Sequence, residues 1–405
     1  MPISQIVTNS IANNAVTAAK LASDAFSAQI FKPSITSPAN NATGILNTQL
    51  FTATTYLSLY GRSQANAQWE ISTSPSFAFI NVNSTITGSN TQFQANASSG
   101  LVVNTIHYAR VRYSDDANNS SDYSNTVQFT TNTSFAISVE YLLVAGGGGT
   151  ASGSGGGGAG GLLYSSATSV NTGTNYSVTI GGGGTGSTTG GKGSNTSFGS
   201  TVAEGGGGST SRPGGSGAGA AWRNNSGTFG TGAPGQGNPG GASPSGFPGG
   251  AGGGGGAGAT GGAANQNGNG SGGNGGAGLA YSISPPGSTT YAGGGGGGHD
   301  YTSPTSTVVS GGTGGAGGGG NGTGGNDIGT NIPGTAGTDN RGGGGGGSGS
   351  NFGVGYAGGS GVVLLKYPNA RTISNPGGGL TLSSAPSGSN TVTTITAGTG
   401  NVFWS

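Results

Sequence analysis

The chain has no cysteine, so no disulfide framework can hold it together. Charge is nearly as scarce: 405 residues carry 11 Lys or Arg and 10 Asp or Glu, for a net charge of +1. A phosphate-binding footprint needs clustered Lys or Arg, so nucleic acid is not an expected partner. Charge-rich disorder fits equally badly, because such chains stay soluble through high charge. No run of about 18 apolar residues occurs, so no membrane insertion is expected. The opening MPISQIVTNS lacks a basic and then apolar leader, which predicts synthesis in the cytoplasm without Sec export. What is present in quantity is glycine, 97 residues of it, with Ser, Thr and Asn around it. A neutral polar surface of this kind suits neutral partners such as sugars.

Glycine divides the chain. Four glycines precede position 146 and six follow 361, leaving 87 among the 216 residues between. Residues 1–32 place Ile6, Ile11, Val16, Leu21 and Phe26 at a spacing of five, which fits neither helix nor strand. A second reading puts Ala15, Ala18, Ala19, Ala22, Ala25 and Phe26 on one helical face. Too short to fold alone, the segment is expected to serve attachment or oligomerisation, a disordered tail being the alternative. Residues 33–133 read as a small β-sandwich. Runs such as NAQWEIS and HYARVRYS are separated by Asn, Ser and Gly turns, and Ala109, Val111 and Tyr113 alternate with outward-facing Arg110 and Arg112.

The stretch GLVVNTIHYARVRYSDDANNSSDYSNTVQFTT resembles the last third of a fibronectin type III domain, with Leu101 and Thr105 in its turn. The resemblance implies a corner tyrosine where this chain has His107, and Tyr108 is expected to point outward.

Within the glycine block, PGGAGGGGGAGATGGAAN (residues 248–265) has Ala251, Gly254, Ala257, Thr260 and Ala263 at every third place, with almost only Gly between. Ser271, Asn274, Ala277 and Ala280 repeat the spacing, as do Thr313 and Ala316. Three residues per turn is the period of the polyproline or polyglycine II helix, rising roughly 3.1 Å per residue. It makes no internal hydrogen bonds, so each N–H and C=O must find a neighbouring chain. Ordering glycine costs about 1–2 kcal/mol per residue, so a lone helix would melt where a bundle persists. The spacing predicts a rod with glycine as its contact surface; a flexible linker is the alternative.

Strand-like runs bracket the block: SVEYLLVAGGGG opens it and GSGVVLLKYP closes it. With NYSVTIGGGG and the final ITAGTGNVFWS, they resemble the glycine-rich domain of bacteriophage tail-fibre proteins and T-even-type tip adhesins. That resemblance implies a layered polyglycine II bundle over residues 134–368, then a β segment over 369–405, with distal loops that contact the host. The expected fold is therefore mainly β and irregular: a fibronectin III-like sandwich, then a polyglycine II bundle flanked by strands.

Chemistry-bearing motifs are few. Gly146, Gly148 and Ala151 form a loose dinucleotide fingerprint, but SGSGGGGAGG follows where a helix is needed. GGGGHDYT matches part of a calcium nonapeptide, without a tandem copy. Asp115, Asp116 and Asp122 share one turn and read as a solvated hairpin. The only carboxylates in the block, Glu204, Asp300, Asp327 and Asp339, sit in separate segments, which predicts no glycosidase pair. No enzyme activity, cofactor or metal is expected. The turns between glycine runs carry Trp222, Arg223, Tyr281, Tyr291, His299, Asp300 and Tyr301, residue types that dominate binding hot spots. They are the expected exposed receptor-binding residues, whereas Phe352 and Tyr356 are expected to cap the fold. The resemblance thus implies a virion tail fibre or adhesin that binds a bacterial surface glycan or porin without covalent chemistry. It would join other tail or capsid proteins through its N-terminus, and as a fibre be a homotrimer, a monomer staying open. A decoration fibre without a receptor is the alternative.

Overall fold

The computed structural model describes residues 30–405, apart from 60, 97–98, 210–211, 223–227, 245–248, 266–269, 285–286, 300–306, 327–329 and 350–352. Ile6, Ile11, Val16, Leu21 and Phe26 therefore lie outside the described residues. The described chain is all-β, without a helix, in two compact units divided between Ala136 and Ile137.

The first unit holds β1 (Ile35–Ser37), β2 (Ala42–Ile45), β3 (Leu50–Ala53), β4 (Gln64–Ser72), β5 (Val82–Thr87), β6 (Gln92–Gln94), β7 (Ile106–Asp115) and β8 (Val127–Thr131). One sheet runs β2-β8-β7-β4-β5 and the other β1-β3-β6. Strict alternation along β7 buries Ala109, Val111 and Tyr113 completely and leaves Arg110 and Arg112 half-buried, as a sheet with one wet face requires. Phe51 of β3 meets Trp69 of β4 edge-on at 6.1 Å and Phe129 of β8 at 5.5 Å, so the two sheets share one core. His107 is fully buried and stacks on Phe129 at 5.5 Å and 14°. The Val102 N–H donates to its Nε2, which leaves the proton on Nδ1 facing the Thr105 carbonyl at 3.1 Å. Burial pushes its pKa down. The acidic turn is held by its own backbone: Asp115 accepts from the N–H groups of Ala117 and Asn119, both at 2.9 Å.

The second unit holds β9 (Ala136–Val144), β10 (Leu162–Asn171), β11 (Tyr176–Thr179), β12 (Thr196–Phe198), β13 (Thr201–Ala203), β14 (Leu279–Tyr281), β15 (Thr289–Tyr291), β16 (Gly324–Gly325), β17 (Asn331–Ile332), β18 (Val362–Pro368), β19 (Ile373–Ser374), β20 (Leu380–Ser387) and β21 (Asn390–Trp404). The two runs that bracket the glycine block, β9 and β18, pair antiparallel with Val144 opposite Val362 and Glu140 opposite Lys366. The main sheet continues β10-β9-β18-β21-β11-β12-β13. The 15-residue β21 is its hub, pairing with β18, β20, β11 and β19 along its length. Its Trp404 is fully buried among Tyr176, Phe198 and Tyr367, at ring distances of 5.8–6.1 Å.

Between these strands, most of the glycine block belongs to no sheet, and its backbone bonds outward in rotation. Ala145 and Gly148 donate to Gly161 and Gly158, Gly146 and Gly149 to Ser194 and Gly191, and Gly147 and Thr150 to Gly359 and Tyr356, at 2.8–3.1 Å. Residues 156–161 repeat the pattern. Gly156 and Ala159 donate to Gly252 and Gly255, Gly157 and Gly160 to Gly345 and Gly342, and Gly158 and Gly161 to Gly207 and Glu204. Their carbonyls accept from Gly219, Ser216, Gly295, Gly148 and Ala145, so this one segment bonds six others. A β-strand bonds two. Such approach needs bare backbone: a Cβ on Gly254 would overlap the carbonyl oxygen of Gly157, and one on Gly156 that of Gly295.

Position in this network follows the glycine pattern. Uninterrupted runs, residues 293–298 and 342–347, are buried throughout. In two segments where every third residue has a side chain, that residue faces out: Asn274 and Ala277 are exposed beside buried Gly273 and Gly276, and Thr313 and Ala316 beside buried Gly312 and Gly315, whereas Ala251 at the start of its own series is buried. The rod expected from Ala251 to Ala263 is not one rod. Gly253 donates to Gly262 and Gly256 to Ala259, so the chain reverses around residues 257–259 and returns antiparallel. The period of three survives the bend because it describes neighbours, not length.

Candidate functional site

Because the network is made by main chain, side chains free to meet a ligand are confined to strand faces and turns. Tyr164 leaves β10 two residues after buried Leu162, and Tyr281 ends β14. Their rings lie 4.7 Å apart at 38°, over an open cleft of about 410 Å³. Leu163, Leu279, Gln236 and Asn238 also line it, and no lining residue is charged. Tyr164 is 41% exposed and Leu279 39%. The floor is rigid: Gln236 accepts the Glu204 N–H at 2.8 Å, and Asn238 donates to the carbonyls of Gly256 and Ala257, both at 2.9 Å. Tyr164 donates to Glu140 at 3.0 Å, and Lys366 pairs with the same carboxylate at 3.0 Å, a row across β10, β9 and β18 that fixes the ring. Burial, and then Glu140, raise the pKa of Tyr164; burial alone raises that of Tyr281. Both phenols therefore stay neutral near pH 7.

The residues singled out in the sequence separate. Tyr281 lines the cleft. Tyr291 was expected to be exposed but is 7% exposed, packed with Leu142, Leu162 and Val362, with the Arg341 guanidinium 5.6 Å from its ring centre. Arg341 is held there by donating to the Thr290 carbonyl at 2.8 Å. His299, 4% exposed, continues the glycine run before it: its N–H donates to the Thr323 carbonyl and its Nδ1 lies 2.9 Å from the Gly270 carbonyl. It is a structural plug, not a surface group. Trp222 is half-buried with its indole nitrogen over Gly153, where a Cβ would come within 2.5 Å. Arg223, Asp300 and Tyr301 lie outside the described residues, as does Phe352. Tyr356 is built into the network, its hydroxyl accepting the Gly334 N–H at 2.9 Å and its own N–H donating to Thr150. Among the described residues, no group of three His, Asp or Glu is placed to hold a metal.

Tyr164 was missed from the sequence. It sits in an unremarkable LLYSSATS strand, 117 positions before its partner, and only the fold joins them.

No curated protein and no solved structure matches the chain. The model of a family described as a glycine-rich domain matches residues 120–368, which runs from the turn after β7 to the last residue of β18. The match covers more than half of the sequence, and the chain belongs to this glycine-rich domain family.

Proposed function

We propose that the chain is a virion adhesin, a bacteriophage tail-fibre or tip protein that holds a bacterial surface receptor without covalent chemistry. The observation that carries this reading is the division of labour in the second unit. Buried backbone forms the support, while side chains at turns and strand faces, Tyr164 and Tyr281 among them, are free to be exchanged without disturbing it. The glycine segments are polyglycine II helices in a bundle, supported by N–H groups that return to the same neighbour every third residue. The first unit is fibronectin type III-like, supported by its β1-β3-β6 and β8-β7-β4-β5 sheets around Trp69. In this role the protein acts from the virion, as a homotrimer joined to tail or capsid partners by its N-terminal segment, and several copies add avidity.

Competition tests the function: purified protein added to host cells should block adsorption of virions that carry it. Protein that coats virions but never competes for cells would instead be a decoration fibre. For the bundle, amide exchange should be slow at buried Gly157 and Gly295, and faster at exposed Gly258, whose N–H bonds the Ala277 carbonyl in the bend. Uniform fast exchange with random-coil glycine shifts would overturn it.

A further inference from the structure

Resting on the adhesin reading, we propose that the Tyr164–Tyr281 cleft is a binding site for a neutral pyranose, the sugar ring lying against the outer face of the tyrosine pair. The chemistry of the lining selects the ligand. The two phenol rings pack on each other, which leaves the outward face of the exposed Tyr164 ring as the π surface, and C–H groups on one side of a sugar ring are attracted to such a face. Leu163 and Leu279 widen the apolar wall. None of the lining groups is charged, so a phosphate or an acidic sugar finds no counter-ion there. The polar groups are of the kind that sorts hydroxyls. The Tyr164 hydroxyl, which donates its hydrogen bond to Glu140, has oxygen lone pairs left to accept one. No hydrogen bond holds the Tyr281 hydroxyl among the described residues, which frees it to donate. The site is also preformed. The Lys366–Glu140–Tyr164 row and the bonds of Asn238 to the glycine backbone fix its walls before a ligand arrives, which lowers the ordering cost of binding. At about 410 Å³ the cleft matches one or two sugar rings and falls short of a folded protein epitope.

The test is calorimetric titration of the full chain with neutral oligomers of glucose, galactose and N-acetylglucosamine, and with a sialylated oligomer as the charged control. At least one neutral oligomer should bind saturably and the sialylated one should not. Tyr164→Ala should weaken binding about fivefold to tenfold, whereas Tyr164→Phe, which keeps the ring, should stay within about threefold. Tyr164 is well exposed, so the Ala variant should keep the parent's thermal unfolding; Leu279→Gln, at another exposed wall, provides a second variant that should also weaken binding. No response to any neutral oligomer, or binding equal in the parent, Tyr164→Ala and Leu279→Gln, would overturn the site. Adsorption separates this from the broader reading. If the parent and Tyr164→Ala block virions equally and neither takes up sugar, the adhesin stands and the sugar site falls. If sugar binding depends on Tyr164 while the parent never blocks adsorption, the site stands and the adhesin falls.

Discussion

In the first unit, the space between two sheets is filled by Trp69, Phe51, Phe93 and Phe129; in the second, residues 156–161 are surrounded by other backbones. The first core is apolar surface withdrawn from water, on the order of 25 cal/mol per Å². The second withdraws little apolar surface and instead satisfies nearly every peptide group on several sides, in a space too narrow for a methyl group. The two should therefore fail in opposite ways. An aromatic core suffers when atoms are removed, and a glycine core when atoms are added.

The largest expected effect comes from adding them. Gly254→Val puts three carbons where Gly157 has its carbonyl, and neither side is a movable side chain. It should prevent the second unit from forming, seen as collapse of dispersed glycine amide resonances in NMR while the first unit's signals persist. A variant that folds with the parent's dispersion would refute the close-packed reading of the network. Next is removal. Phe129→Ala opens a cavity under His107 and Phe51 and should cost about 3–5 kcal/mol of first-unit stability, measured by denaturant unfolding followed through Trp69.

A pH effect should divide the units as well. His107 binds a proton less readily when folded than its ordinary value of 6.5, because burial opposes the charge. The unfolded chain then takes up more protons as pH falls, so stability is complete above about pH 6.5 and drains away below it, through the folded-state pKa. Asp115, held low by Asn119 and Ala117 despite its burial, loses its contribution only below its ordinary 3.8. Between pH 7 and 5 the first unit's melting temperature should therefore fall, and His107→Gln should flatten the slope. An unchanged slope would show that His107 does not carry it.

Much of this architecture was legible. The alternation in HYARVRYS gave the faces of β7, and SVEYLLVA with GVVLLKYP marked strands that pair with each other. The period of three marked which glycine segments carry side chains. It could not say which runs are central, because that depends on partners more than 200 positions away, as in Gly147 and Gly359. Nor could it see the bend at residues 257–259, which preserves the period while reversing the chain. The site was legible only in part. Tyr281 and Tyr291 come from one LAYSISPPGSTTYA stretch and share one face of the β14–β15 hairpin, yet Arg341 covers only the second. That difference is set by a residue 50 positions beyond Tyr291, and no local pattern encodes it.

The smallest expected effect tests whether position, and not glycine itself, decides sensitivity. Ala316 stands at the exposed third place of GGTGGAGG, and its carbonyl accepts the Gly278 N–H. Ala316→Ser alters only an atom that points to water and leaves that backbone bond intact, so unfolding should shift by less than about 0.5 kcal/mol. Gly315→Ser, one position earlier, puts a Cβ into the Gly276 carbonyl and should be severely destabilising. The same residue type, introduced at neighbours in the same run, then gives opposite outcomes. Propensity cannot produce that contrast, since serine is tolerated in either place by an isolated extended chain. Only neighbours pressed against Gly314 and Gly315, with none over the side chain of Ala316, do so.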